Sequence, residues 1–173
     1  MMLLDITGIP GESESPNPAW KSKIQIDSMG YDISQRTSNS TGTGLVSGGA
    51  TVGAMQISKQ MDKSTPLLFL NLAQGQPIPV CYVRVIRSGQ AAGSTAASPN
   101  GGLYEAETYT LSNAIITNYS TSGALGPGGL PMESWSISFS QIVENYIQVD
   151  KNGNPVTGGG NAIGYNFATA TPV

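Results

Sequence analysis

The sequence predicts a mainly β fold, an antiparallel β-barrel or two packed sheets, with one short α-helix at about residues 65–74. Three observations carry this reading. Ser134-Trp135-Ser136-Ile137-Ser138-Phe139-Ser140 alternates three large apolar residues with four serines, the period of a strand with one buried face. The 22 glycines and 11 prolines are the punctuation that many turns require. Leu67 to Gln74 breaks the alternation: it is apolar nearly all round, with only Asn71 and Gln74 as a polar stripe.

The elements follow in order. Leu3 to Thr7 reads as a first strand, and Gly8 to Pro18 as a loop broken by Pro10, Gly11, Pro16 and Pro18. Ile24 to Ser34 reads as a long strand. Its apolar phase slips, because Ile24 and Ile26 alternate with polar residues and then Met29, Tyr31 and Ile33 take over. A slip of one residue turns the core face outward, so a β-bulge is expected near Gly30. Gln35 to Gly49 is rich in Ser, Thr, Gly and Asn, with Leu45 and Val46 as its only aliphatics, and is expected to be a long loop.

Ala50 to Met61 is strand-like again. Thr65 is suited to cap the helix with Pro66 at its first position, where the missing N–H leaves nothing unpaired. Gly75 is the expected stop. A helix this short needs packing to hold it, as a plug against a sheet or barrel end. Val80 to Arg87, Tyr104 to Thr117, Met132 to Val149 and Ile163 to Phe167 complete about seven strands; adjacent strands joined by turns pair antiparallel. Loops are expected at 89–102 and 120–131.

A chain of 173 residues can bury a core without disulfides or metals, and a single domain over 1–173 is expected. Charged residues make up only 11%, the net charge is −3, and the 8 Lys and Arg do not cluster, which argues against a nucleic-acid partner. Histidine is absent, and with it the commonest general base and metal ligand. Cys81 lies in the apolar run Pro79 to Val83 and reads as a small buried hydrophobe.

Other patterns are weak. Asp150-Lys151-Asn152-Gly153-Asn154 starts like a calcium loop, but its glycine is misplaced and Asn161 stands where a glutamate is needed; a turn fits better. Glu12 with Glu14, and Glu105 with Glu107, read as solvated carboxylates rather than catalytic pairs. Asn39-Ser40-Thr41 and Asn118-Tyr119-Ser120 match a glycosylation acceptor by chance. No phosphate loop or nucleophile motif is present, so no enzyme activity and no cofactor are expected. The first residues lack the basic and long apolar parts of a secretory signal, and no segment approaches a membrane span. The protein is expected in the cytoplasm, with other machinery for any export, and without membrane insertion.

The order of short motifs resembles the haemolysin-coregulated protein (Hcp) family of type VI secretion. Gly8-Ile9-Pro10-Gly11-Glu12-Ser13 is similar to its Gly-x-x-Gly-Glu-Ser element after the first strand. Ser58 to Leu67 resembles its Lys-x-x-Asp-Lys-Ser-(Thr/Ser)-Pro-x-Leu signature. Ser138 to Ile142 with Tyr146, and Gly164-Tyr165-Asn166, resemble its closing strands, with Tyr165 replacing a tryptophan.

The resemblance implies a structural tube subunit. Copies would form hexameric rings that stack into a tube, with sheath and spike components and effector proteins as partners. The tube would assemble in the cytoplasm and be secreted with no signal peptide. Under it, the 35–49 segment becomes a ring-stacking loop anchored by Arg36, Leu45 and Val46, and Ser28, Gly30 and Asp32 become candidates to line the lumen. The alternatives are a secreted β-sandwich binding module, disfavoured because its loops carry no aromatics, and a tail-tube-like protein of a related contractile machine.

Overall fold

The computed structural model describes residues 1–40, 42, 44–89, 102–125, 129–151 and 155–173. The expected loop at 89–102, the tip of the one at 120–131, the Asn152-Gly153-Asn154 turn and Thr41 of one acceptor motif lie largely or wholly outside these residues. Twelve strands and one helix are described: β1 (Met2–Ile6), β2 (Ile24–Ile26), β3 (Ser28–Gly30), β4 (Ile33–Ser40), β5 (Gly44–Val52), β6 (Met55–Gln60), α1 (Thr65–Gln74), β7 (Ile78–Ser88), β8 (Leu103–Leu125), β9 (Pro131–Ser138), β10 (Gln141–Val149), β11 (Pro155–Asn166) and β12 (Thr171–Pro172). The fold is mainly β, as the sequence predicts, with antiparallel sheets packed face to face.

The 23-residue β8 organises the packing. Its first half pairs with β7 and β10, as in Cys81 opposite Leu111 and Ile142 opposite Leu111. Its second half pairs with β9, as in Ile116 opposite Ile137 and Tyr119 opposite Trp135. The change comes at Asn113, whose φ of 50° is left-handed, a conformation that asparagine tolerates better than most residues. Sandwich corners are made this way, by strands that bend out of one sheet into the other. Beside it the chain bends again at Phe139-Ser140, so the expected strand 132–149 is β9 followed by β10.

A second corner lies at Asp27. β2 pairs with β1 in the first sheet and β3 with β6 in the second. The apolar phase slip therefore falls at Asp27 and not at a bulge near Gly30. The chain changes sheets there, and what counts as inside changes with it. Met29 and Tyr31 pack on the core, but Ile33 is 52% exposed because the chain has by then left the sandwich.

The core lies between the sheets. Leu4, Ile24, Val83 and Leu111 from one side meet Met55, Ile57, Trp135 and Ile137 from the other. The alternation at 134–140 holds: Trp135, Ile137 and Phe139 are buried. α1 closes one end of the sandwich, with Leu68 inside it. Gly75 stops the helix with φ 60°, and Gln76 N–H donates to Asn71 O at 3.0 Å. The N-cap position belongs to Ser64 rather than Thr65, because the Thr65 hydroxyl is taken up by a buried polar cluster described below.

The segment 35–49 is a β-hairpin and not a loop. β4 and β5 pair over most of their length, from Ile33 opposite Val52 to Ser40 opposite Gly44. Backbone pairing needs no apolar alternation when neither face is buried, and here neither is.

Candidate assembly surfaces

The hairpin is the first surface. It forms a two-stranded sheet of its own, with no other strand described beside it. Such a ribbon is at best marginally stable in water. Cross-strand polar pairs brace it: Ser34 to Thr51 at 2.9 Å, and the Gln35 amide to the Ser47 hydroxyl. Leu45 is 70% exposed near its tip, with Val46 exposed beside it. Arg36 sits at a bulge, where Gly48 and Gly49 on β5 oppose it alone on β4. Gly49 has φ 96°, which favours glycine, and a Cβ on Gly48 would press on Arg36 Cβ at 3.2 Å. Bulges re-aim side chains, and this one sets the direction of the hairpin's cation. The three residues expected to anchor contacts are thus exposed on one arm.

Ser28, Gly30 and Asp32 are all exposed, opposite the half-buried Met29 and Tyr31. Ser28 and Ser58 hydroxyls meet at 2.7 Å across β3 and β6, and Asp32 O accepts from Gly53 N–H at 2.9 Å. They form one polar stripe along the path through β3.

The sequence reading missed two apolar surfaces. A groove of about 530 Å³ opens at the end of the sandwich away from α1, lined by Tyr31, Ile33, Tyr146, Ile163 and Tyr165. Ile163 is 66% exposed there. Within it the Tyr31 hydroxyl donates to Glu144 Oε2 at 3.1 Å. Burial, then the Glu144 carboxylate, push its pKa up to about 12. The second surface is the outer side of α1, where Leu67, Phe69 and Leu70 are exposed. Its signal was available: a short helix that is apolar all round cannot bury every side.

The motif residues turn out to be structural. Lys59 is fully buried, with Nζ 2.7 Å from Asp62 Oδ1 and 2.6 Å from Glu133 Oε1. Thr65 Oγ1 donates to Glu133 Oε1 at 2.8 Å. Asp62 Oδ1 also accepts from Ser64 N–H at 2.9 Å. One buried ammonium thereby ties β6, the turn before α1, the helix start and β9 together. Gly11 packs so tightly that a Cβ would lie 2.3 Å from Ile24 Cα, and a Cβ on Gly164 would lie 2.7 Å from the Val143 and Val173 side chains.

Glu105 is not a solvated carboxylate. It accepts from Trp20 Nε1 at 2.8 Å, Arg84 at 2.7 Å and Thr108 at 3.1 Å. Partial burial works to raise its pKa, but these hydrogen bonds and the Arg84 charge outweigh it, and the carboxyl lies below its usual value. Arg84 also reaches Asp5, which holds Lys23 at 2.7 Å. Among the described residues, no group of His, Cys, Asp or Glu is arranged to hold a metal, and no helix is long and apolar enough to cross a membrane.

The fold, with its paired sheets, corner strand and single capping helix, is that of type VI secretion proteins of known structure. One such protein superposes with a TM-score of 0.81 at 20% identity, covering 99% of this chain and 98% of the other. Hcp1 from Salmonella typhimurium superposes with a TM-score of 0.72 at 24% identity, covering 99% and 97%. The secreted protein Hcp3 from Pseudomonas aeruginosa gives 0.59 at 15% identity, covering 96% and 97%. The family model described as "Type VI secretion system effector, Hcp" matches residues 3–146. The chain belongs to the Hcp family of type VI secretion tube proteins. No curated protein matches it.

Proposed function

We propose that the whole chain, 1–173, acts as one structural tube domain. Copies close into hexameric rings, rings stack into a tube, and the tube carries effector proteins in its lumen. Sheath and spike components are its other partners. It assembles in the cytoplasm and leaves the cell through the machine, and its role there is structural.

The observation that carries this reading is the exposed β4–β5 hairpin. A polar ribbon with a 70% exposed leucine is poorly supported by its own chain. It gains support when it lies against another copy, and Arg36, Leu45 and Val46 are the residues it offers. Ser28, Gly30 and Asp32 provide the uncharged-to-acidic stripe of a lumen wall.

Light scattering on the purified protein, with negative-stain imaging of the same peak, tests the reading. Annular particles of hexamer mass support it. A stable monomer at high concentration overturns it. For the lumen, Asp32→Arg is expected to leave rings intact and alter cargo retention; loss of the folded monomer would refute that assignment.

A further inference from the structure

Resting on the reading of the hairpin as a stacking arm, a cation on the hairpin and two carboxylates at the other end of the molecule are opposite in charge. β3 and β6 run antiparallel, with Gly30 opposite Gln56 and Ser28 opposite Ser58. The chain leaves β3 toward the hairpin at the Met55 end of β6. It leaves β6 toward α1 at the Gln60 end. Hairpin and helix therefore lie at opposite ends of the same strand.

At the Gln60 end a groove of about 210 Å³ is lined by Glu12, Asp27, Asp62 and Leu130, among others. Asp62 is paired with Lys59. Glu12 and Asp27 are exposed and, among the described residues, enter no ion pair. Leu130 is 48% exposed beside them. At the other end Arg36 is exposed, with no ion pair described for it either, and it sits at the hairpin's bulge.

We propose that Arg36 of one copy seats in this groove of a second copy, paired with Glu12 and Asp27, while the hairpin's aliphatics cover Leu130. The contact is heterologous: two different patches meet, so it propagates along an axis rather than closing a pair. The groove supplies what the hairpin lacks, an opposite charge and an apolar surface, at the end of the molecule that a translated copy presents.

The test compares Arg36→Glu, the pair Glu12→Arg with Asp27→Arg, and the three changes together, by sedimentation and negative-stain tube length at low salt. Expected are rings that no longer stack in the first two, with self-association at least about tenfold weaker, and recovery in the combined variant. Arg36→Glu stacking like the unaltered protein overturns the pairing while the stacking role of the hairpin stands. If the unaltered protein does not stack, Arg36→Cys protein is mixed with Asp27→Cys protein at high concentration under mild oxidation. A disulfide between the two supports the pairing. Its absence overturns both the pairing and the stacking role.

Discussion

The Lys59 ammonium lies 2.6 Å from the Glu133 carboxylate, and neither side chain reaches solvent. Removing one partner of a buried pair strands the other charge, which costs about 3–5 kcal/mol, whereas replacing both with apolar groups is close to neutral. Lys59→Met is expected to lose stability on that scale in urea unfolding. Lys59→Met with Glu133→Leu is expected to recover part of it, because Asp62 still loses its ammonium partner. A single variant as stable as the parent would show that the pair does not anchor the start of α1.

Two glycines make a contrasting pair. A Cβ at Gly11 would lie 2.3 Å from the Ile24 backbone, while a Cβ at Gly30 meets nothing. Gly11→Ala is expected to cost about 1–3 kcal/mol through overpacking. Gly30→Ala is expected within about 0.5 kcal/mol of the parent. Thermal melts of both variants check the difference.

The low pKa of Glu105 makes a pH prediction. A carboxyl depressed in the folded state stabilises the fold above its unfolded pKa of about 4.3, and that contribution fades as pH falls through the folded value. Glu105→Gln is expected to be less stable than the parent at neutral pH. The gap should narrow on acidification below about pH 4. Unfolding curves at several pH values measure it, and a gap independent of pH would refute the assignment.

Cys81 is fully buried, and burial, followed by the nearby Asp5 carboxylate, pushes its thiol up to about 12. The thiolate is the nucleophile, so the native protein is expected to be inert to a thiol reagent at neutral pH. Labelling should appear only with unfolding, and its rate should follow denaturant. Rapid labelling of the folded protein would mean that the first sheet opens locally.

Much of this was legible in the sequence, for physical reasons that also mark the limits. Trp135, Ile137 and Phe139 announce their strand because one face of it is buried. The helix announces its stop because Gly75 must be left-handed. The hairpin gave no such signal, since Ser34, Thr37 and Ser38 face solvent whichever way they turn. The phase slip at Asp27 was visible, but a change of sheet and a bulge leave the same mark on apolar spacing. Lys59 was the least legible: nothing in its type reveals that it is buried, and only the partners brought by β9 and α1 explain it. Of the candidate surfaces, Arg36, Leu45 and Val46 could be picked out as the odd residues in a polar stretch. The tyrosine-lined groove could not, because Tyr31 comes from the link between β3 and β4, Tyr146 from β10 and Tyr165 from β11.

β8 has a mechanical consequence. It is bonded along its length to β7, β9 and β10, and spans both sheets. A push or pull along its axis loads those ladders in shear, with many backbone bonds sharing the force at once. Peeling would break them one by one, but over residues 107–112, where β7 and β10 grip β8 on both flanks, there is no free edge at which peeling can begin. The stiffest direction of the subunit should therefore run along β8, and force applied there passes into both sheets before either can slide.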